Sequence, residues 1–182
     1  DILDFQFVKK ITQKTDLLIH AAAESHVDNS FRLNDNFIKT NVLGTKNIIQ
    51  ASKINKIKKI IHISTDEIYG EIFKGSFSEN DRFNPSNPYS SSKAAAEMVV
   101  NGFIHSFKLP VIIVRANNIF GTSGTNTDID GFIYPLRNLN LRKKTSIILG
   151  SGGAARSVIQ GLINLKISKI TIISRNRSSL NE

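Results

Sequence analysis

The sequence predicts an α/β protein in which a parallel sheet is covered by helices on both faces. Three observations predict this class. Short apolar runs alternate along the chain with longer amphipathic runs, which indicates alternating strands and helices. The apolar runs are continuous, and this is typical of strands that are buried on both faces. A glycine-rich turn also separates one of these runs from a helix.

The first strand is predicted within residues 16–23, DLLIHAAA, a buried run that ends in a turn of small residues. A helix follows, because four positions have the spacing of one helical face: Ile38, Val42, Thr45 and Ile49. Residues 58–64 and 111–115 predict two further strands. Pro88 begins the long helix between them, since proline favours the first position of a helix.

The chain changes character near residue 121. Residues 1–121 carry 15 basic and 12 acidic side chains, whereas residues 122–182 carry 9 and 3. In the second stretch, residues 145–149 predict a strand, and a glycine turn, a helix and a last strand follow. We therefore expect two segments, 1–121 and 122–182. The first is an incomplete Rossmann-like sheet, and the second is a partial Rossmann strand–turn–helix–strand unit.

The composition argues against several classes of protein. The chain has no cysteine, which excludes disulfides and thiolate metal sites. It has no apolar run near the roughly 20 residues of a membrane helix and no basic-then-apolar signal at its N-terminus, so we expect a cytoplasmic protein without a membrane partner. Neither His26 nor His62 has a second ligand at a useful spacing, so we predict no metal site. The sequence leaves the oligomeric state open, a homodimer included.

The net charge of +9 and the stretch KINKIKK at residues 53–59 raise the question of nucleic-acid binding. We favour a solvated passage from a helix into a strand, because the lysines alternate with isoleucine and no aromatic platform accompanies them. We therefore expect no nucleic-acid partner.

A first group of candidate catalytic residues lies on the long helix and the strand before it. Tyr89 and Lys93 are four residues apart, so their side chains share one helical face. An ammonium group beside a phenol lowers the phenol's pKa, which predicts a tyrosine that acts as a base. The pattern alone is common, and a surface tyrosine beside a solvated lysine is the alternative. Asp66 and Glu67 follow Thr65 where a parallel strand ends, which is where ligands bind in such sheets.

Residues 1–121 resemble the extended short-chain dehydrogenase/reductase family and, within it, the dTDP-glucose 4,6-dehydratases. The resemblance is carried by five motifs in that family's order: AAAESHVDNS, TNVLGT, ISTDEIYG, NPYSSSKAAAE and RANNIFG. Sugar-nucleotide epimerases share the tyrosine and lysine but generally lack the adjacent Asp-Glu. The resemblance implies NAD as the cofactor and a nucleotide sugar as the substrate.

The resemblance also implies a role for each catalytic residue. Tyr89, tuned by Lys93, would take the proton from the sugar O4 while hydride passes from C4 to NAD⁺, and Thr65 would position O4. Glu67 would then take the C5 proton, and Asp66 would donate a proton to the leaving C6 hydroxyl before hydride returns to C6. Like charges this close push two carboxyl pKa values apart, as such a pair requires. A solvated loop pair is the alternative for the two carboxylates.

The resemblance implies cofactor and substrate contacts as well. The cofactor contacts are Asp1, Ile2, Ala21, Ala22, Ala23, Glu24, Ser25, Thr40, Tyr89 and Lys93. The substrate contacts are Ser25, Thr65 and Asn118, and Ile119 stands where the family usually has a second asparagine. The family's glycine-rich phosphate turn and its ribose-binding acid precede the position of Asp1. We therefore expect this segment to supply neither of them.

A second group lies at residues 150–157, GSGGAARS, between a predicted strand and a helix. Glycines allow a tight turn and close approach to phosphate, and the helix start offers free N–H groups. Four residues end the next strand: Ser174, Arg175, Asn176 and Arg177. Arginine in place of a carboxylate there suits the 2′-phosphate of NADP.

Residues from about 124 to 182 resemble shikimate dehydrogenase in GTNTDIDGF, ILGSGGAARSV and ITIISRN. The resemblance implies an NADP site formed by Gly150, Ser151, Gly152, Gly153, Ala154, Ser174, Arg175, Asn176 and Arg177. It also implies a catalytic role for Asp128, whose lysine partner in that family has no counterpart here. A plain helix cap is the alternative for residues 126–128.

Three hypotheses follow. The chain is a nucleotide-sugar dehydratase segment with a foreign tail, a fragment of a shikimate dehydrogenase-like oxidoreductase, or a fused reading frame that acts at most as a dinucleotide-binding module. Because each resemblance covers part of a family, we expect neither activity from the chain alone. We also hypothesise that strand 145–149 docks beside residues 16–20, where it would cover an apolar sheet edge and rebuild a permuted nucleotide-binding sheet.

Overall fold

The computed structural model describes residues 1–116 and 133–175. Within them a single sheet of five parallel strands forms the centre of the molecule. The strands are β1 (Leu17–His20), β2 (Lys59–Thr65), β3 (Val111–Ala116), β4 (Thr145–Leu149) and β5 (Lys169–Ile173). Their order across the sheet is β3-β2-β1-β4-β5. The parallel sheet predicted from the sequence is therefore confirmed.

Helices connect the strands and cover them. The α-helices are α1 (Phe5–Ile11), α2 (Val27–Arg32), α3 (Asn34–Phe37), α4 (Thr45–Ile54), α5 (Pro88–Phe107) and α6 (Gly153–Asn164). A π-helix (Ile38–Gly44) joins α3 to α4, and 3₁₀-helices span Asp66–Tyr69 and Tyr134–Leu136. None of the described helices combines the length and the apolar character needed to cross a membrane.

The strand of the second segment pairs directly with the first strand of the chain. Leu17 lies beside Ser146 and His20 beside Leu149 in parallel register. Next to this ladder, the Asp16 carboxylate accepts hydrogen bonds from the Thr145 N–H and hydroxyl, both at 3.2 Å. The hypothesis that residues 145–149 dock beside residues 16–20 is confirmed, and β4 covers the apolar edge of β1.

The strand order matches a permuted form of the Rossmann sheet. Rossmann sheets have the spatial order 3-2-1-4-5-6, and the ligand crevice lies between strands 1 and 4. In this sheet β4 and β5 correspond to strands 1 and 2 of that order, and β1, β2 and β3 correspond to strands 4, 5 and 6. Read from β5 to β3, the observed order is then 2-1-4-5-6. The crevice is therefore expected between β4 and β1, where the two segments meet.

Apolar clusters cover both faces of the sheet, as the continuous apolar runs predict. On one face, Ile19, Ile61 and Ile148 pack with residues of α6 such as Val158 and Leu162. The opposite cluster joins strand residues to α1, α4 and α5 and includes Val8, Leu18, Ile48, Ile60, Val100 and Leu149. Strand residues alternate between the two faces, so β1 and β4 contribute to both clusters. Each cluster therefore includes residues of both segments.

The predicted helical face of Ile38, Val42, Thr45 and Ile49 is correct only at its C-terminal end. Thr45 and Ile49 are buried, but Ile38 is 48% exposed. The cause is the π-helical backbone between Ile38 and Gly44, since a wider turn rotates the side chains away from α-helical spacing. Asn41 is buried within this segment instead.

Candidate cofactor cleft and catalytic residues

A cleft of about 750 Å³ lies at the carboxyl ends of the strands and is lined by both segments. From the first segment it contains the predicted cofactor residues Asp1, Ile2, Ala21, Ala22, Ala23, Glu24, Ser25, Thr40, Tyr89 and Lys93, together with Thr65. From the second segment it contains Gly150, Ser151, Gly152, Ser174 and Arg175. The backbone of Gly153 and Ala154 forms the first turn of α6. Two groups of residues predicted for separate cofactor sites thus share one cleft.

The glycine turn of the second segment packs against the small-residue loop of the first. Gly150 has a φ of +111°, and a Cβ there would lie 2.7 to 2.9 Å from backbone atoms of Ala21 and Ala22. Its N–H donates to the Ile173 carbonyl at 2.9 Å. Both the left-handed conformation and the close approach require glycine. The turn therefore leads into α6 at the wall of the cleft.

Asn41 fixes the loop on the other side of the cleft and was not singled out from the sequence. Its carboxamide oxygen accepts from the Glu24 N–H at 2.8 Å, and its amide donates to the Glu24 carbonyl at 3.0 Å. The same amide donates to the Ser92 hydroxyl at 2.8 Å. Buried polar groups need such partners, so Asn41 holds the loop to α5. The TNVLGT motif contains this residue, but local spacing gives no indication of its long-range contacts.

A carboxylate lies at the end of β5, where the sequence predicts only arginines. Arg175 donates from Nη2 to Glu24 Oε1 at 3.0 Å, which joins the two segments across the cleft. The side chains of Arg175 and Glu24 are 68% and 32% exposed. Beside them, the hydroxyl oxygens of Ser151 and Ser174 lie 2.6 Å apart. The cleft therefore contains an ion pair between Glu24 and Arg175 next to the end of β5.

The start of α5 positions Tyr89 and Lys93. Pro88 is the first helical residue, as predicted, and Asn87 caps the helix by accepting from the Ser90 N–H at 2.8 Å. Lys93 is buried, and its Nζ donates to the Ile63 carbonyl at 2.7 Å. Burial lowers the pKa of Lys93 to about 8, although the Glu97 carboxylate opposes the shift. The ammonium is thus held against the end of β2.

The pKa of Tyr89 is raised, so the expectation that Lys93 lowers it is wrong. Burial of the phenol is the largest cause, and the charges of Glu67 and Asp66 act in the same direction. A hydrogen bond with the Thr65 side chain partly opposes them. The prediction failed because it considered only the helical spacing of Tyr89 and Lys93. The loss of water and the two surrounding carboxylates raise the pKa of Tyr89.

Thr65, Asp66 and Glu67 form a connected group at the end of β2. The Thr65 hydroxyl donates to Asp66 Oδ1 at 3.4 Å and accepts from the Glu67 N–H at 3.3 Å. The Asn87 amide donates to Glu67 Oε2 at 3.5 Å, a contact with no sequence signal beyond the NPYSSSK motif. Thr65 and Tyr89 line the cleft between the two segments, whereas Asp66 lines a neighbouring cavity of about 700 Å³.

Two histidines, His20 on β1 and His62 on β2, are buried in the sheet. His20 and His62 are neighbours in the β1–β2 register, and their ring centroids are 5.0 Å apart. His20 Nε2 lies 2.8 Å from the Thr45 hydroxyl. Burial lowers the pKa of His20 to about 3 and that of His62 well below its usual value. Both rings are therefore neutral, and the described part of the chain contains no group of three side chains able to hold a metal ion.

Four predicted site residues lie outside the described residues: Asn118, Asp128, Asn176 and Arg177.

Comparison with known proteins supports the dehydratase resemblance over most of the chain. The family model described as GDP-mannose 4,6 dehydratase matches residues 1–159. A dTDP-D-glucose 4,6-dehydratase of Dictyostelium discoideum is 41% identical over 172 residues, covering 87% of this chain and 39% of that protein. The crystal structure of DesIV, a dTDP-glucose 4,6-dehydratase from Streptomyces venezuelae with NAD and TYD bound, has a TM-score of 0.67. It is 26% identical, and the match covers 96% of this chain and 56% of DesIV.

The comparison also supports the second resemblance over a shorter stretch. A shikimate dehydrogenase (NADP(+)) of Prochlorococcus marinus strain MIT 9515 is 85% identical over 69 residues, which are 38% of this chain and 24% of that protein. The two kinds of match overlap, since 87% and 38% of the chain together exceed its length. This chain thus spans about two fifths of the dehydratase relative and about a quarter of the shikimate dehydrogenase.

Proposed function

Because this chain belongs to the GDP-mannose 4,6 dehydratase family, we propose that it binds a nicotinamide dinucleotide in the cleft between β1 and β4. We also propose that side chains of β2 and α5 act there on a nucleotide-linked hexose. The register of β1 against β4 carries the proposal. It brings the glycine turn at Gly150 to the loop that begins at Ala21, and this is the crevice in which such sheets hold dinucleotides.

The cleft has the parts that a dinucleotide needs. The turn at Gly150 and the start of α6 present backbone N–H groups, which suit a pyrophosphate. Tyr89 and Lys93 lie in the same cleft, so a nicotinamide there would be near the catalytic residues. Residues from both segments form this one site, and the two segments therefore act as a single structural unit.

The chemistry follows from Thr65, Tyr89 and Lys93. A bound NAD⁺ would supply the hydride acceptor and a positive charge beside the phenol. The raised pKa of Tyr89 means that its oxygen holds a proton at neutral pH, and the Thr65 hydroxyl is its hydrogen-bond partner. Lys93 contributes a positive charge that is fixed by its bond to the Ile63 carbonyl. The charges of Lys93 and of a bound NAD⁺ would favour release of the phenol proton to solvent, and the resulting phenolate would then accept the proton of a sugar hydroxyl held between Thr65 and Tyr89.

Glu67 and Asp66 supply the acid and base of the later steps. The Asn87 amide orients Glu67, which would take the proton next to the new ketone. Asp66 accepts a hydrogen bond from the Thr65 hydroxyl, and in its protonated form it would donate to the leaving hydroxyl.

Titration calorimetry with NAD⁺ tests the proposed site. We expect saturable binding by the wild-type protein and retention of binding by Tyr89→Phe, which keeps the ring. Absence of binding to both NAD⁺ and NADP⁺ would overturn the proposal.

A second assay tests the chemistry. The protein is incubated with NAD⁺ and dTDP-glucose, and the 4-keto sugar is detected by its absorbance in alkali. We expect any product to disappear in Tyr89→Phe. A parallel assay of NADP⁺ reduction by shikimate tests the alternative oxidoreductase. Dinucleotide binding with no turnover in either assay would leave the chain as a binding module.

A further inference from the structure

We propose that Glu24 and Arg175 together set the preference of the cleft between a 2′-hydroxyl and a 2′-phosphate on the adenosine ribose. The inference rests on the proposed binding of a dinucleotide and specifies which dinucleotides the site accepts. Glu24 would bind the hydroxyl of NAD, and Arg175 would bind the phosphate of NADP.

The position of Arg175 assigns the pair to the adenosine end of the cleft. Arg175 follows β5, which occupies the second place of the nucleotide-binding sheet. The residue at the end of that strand meets the adenosine ribose in such sheets. A carboxylate there accepts a hydrogen bond from the 2′-hydroxyl, whereas an arginine binds a 2′-phosphate. Residues 174–177 contain no carboxylate, but the fold brings Glu24 Oε1 within 3.0 Å of the guanidinium.

The surroundings hold Glu24 in place while leaving the ion pair open to exchange. Asn41 binds both the N–H and the carbonyl of Glu24, so the backbone that carries this carboxylate is fixed. The side chains of Glu24 and Arg175 line the cleft and are partly exposed. Exposed ion pairs are weak, and a phosphate with nearly two negative charges can replace the single carboxylate on Arg175. Glu24 is then a repulsive neighbour for the phosphate.

Each member of the pair should therefore favour one dinucleotide and oppose the other. Removing the charge of Glu24 takes away the acceptor for the 2′-hydroxyl and the repulsion of the 2′-phosphate. Removal of the Arg175 charge takes away the phosphate partner and leaves the carboxylate free to accept from the hydroxyl. The two substitutions should therefore shift the ratio of the NAD⁺ and NADP⁺ affinities in opposite directions. A charge effect that is not specific to the 2′ position of the ribose would not predict this pattern.

The test measures the Kd of NAD⁺ and of NADP⁺ by titration calorimetry for the wild type and three variants. We expect Glu24→Gln to shift the affinity ratio toward NADP⁺ by about tenfold and Arg175→Gln to shift it toward NAD⁺ by at least as much. The double variant should lose both preferences. Lys144→Gln is the charge-matched control, because Lys144 pairs with Asp16 outside the cleft, and we expect its ratio to equal that of the wild type.

The outcomes separate this inference from the function on which it rests. If NAD⁺ and NADP⁺ bind but neither single variant changes their ratio, the assignment of Glu24 and Arg175 is wrong and the cofactor cleft stands. The same conclusion follows if Lys144→Gln shifts the ratio as far as Arg175→Gln does. Failure of the wild type to bind either dinucleotide overturns both proposals.

Discussion

Leu149 lies beside His20 in parallel register, and its carbonyl accepts a hydrogen bond of 2.9 Å from the Ala21 N–H. This contact links the carboxyl ends of two strands that are far apart in the sequence. It places residues of both segments in the same two apolar clusters. The two segments are therefore expected to unfold together.

Ile148→Ala tests this joint stability. Ile148 is fully buried between β1 and α6, so the truncation should cost about 2–4 kcal/mol and lower the stability of the whole sheet. Urea unfolding followed by circular dichroism and by tyrosine fluorescence should give one shared transition. Ile163→Ala is the control, because Ile163 is 55% exposed on α6. Separate transitions for the two segments would contradict the single sheet.

Gly150→Ala should damage the cofactor cleft. The added methyl group would meet the backbone of Ala21 and Ala22, and the positive φ is itself strained for alanine. We expect the affinity for NAD⁺, measured by calorimetry, to fall by more than tenfold. The matched control is Gly102→Ala within α5, where the new Cβ would lie within 4 Å of no atom beyond its chain neighbours and the backbone of its own helix. That variant should bind normally and gain up to about 1 kcal/mol of stability.

Lys93→Met should stabilise the protein at pH 7, because it removes a buried charge. Burial lowers the pKa of Lys93 to about 8 in the folded state, and the reference value is 10.5. Between these pH values the unfolded chain binds more protons, so the wild type gains stability as the pH rises. Lys93→Met has no ammonium at this position, so its stability does not gain from this rise in pH. At pH 7 its free energy of unfolding should exceed that of the wild type by about 1–2 kcal/mol, after allowance for the lost hydrogen bond to Ile63. This difference should shrink from pH 8 to pH 10.5.

Urea midpoints of the wild type and Lys93→Met across this pH range provide the measurement. Parallel curves for the two proteins, or a variant less stable than the wild type at pH 7, would contradict the assignment of a buried ammonium.

Acid should destabilise the protein through His20 and His62. Both folded-state pKa values are lowered by burial, that of His20 to about 3, while the reference value is 6.5. The unfolded state thus binds more protons below pH 6.5, and stability is lost as the pH falls from 6.5 toward 3. His62→Phe should show a shallower loss of urea midpoint between pH 7 and pH 5. His105→Gln, at an exposed position on α5, should match the wild type.

The sequence predicts the elements of this fold well because their signals are local. Strand β4 lies where a continuous apolar run predicts it, and Pro88 starts α5 as its fixed backbone angle favours. The exposure of Ile38 was not predictable in the same way, because a π-helical turn has no clear local signature. The sequence suggests which residues share the cleft, since strand ends converge at one edge of a parallel sheet.

Contacts between distant residues account for what the sequence does not predict about the site. Glu24 and Arg175 are 151 positions apart, and only the pairing of β1 with β4 brings them together. The pKa of Tyr89 depends on burial and on the carboxylates of Glu67 and Asp66, none of which helical spacing reports. Asn41 and Asn87 act through hydrogen bonds to other elements, so their roles depend on the folded geometry.

The position of β4 between β1 and β5 affects how the protein is made. During synthesis, β1, β2 and β3 leave the ribosome before the strand that completes their edge. Until residue 149 emerges, β4 cannot cover the side of β1 that it occupies in the folded sheet, and uncovered strand edges invite aggregation. The last third of the described chain therefore both covers this edge of β1 and carries the turn at Gly150.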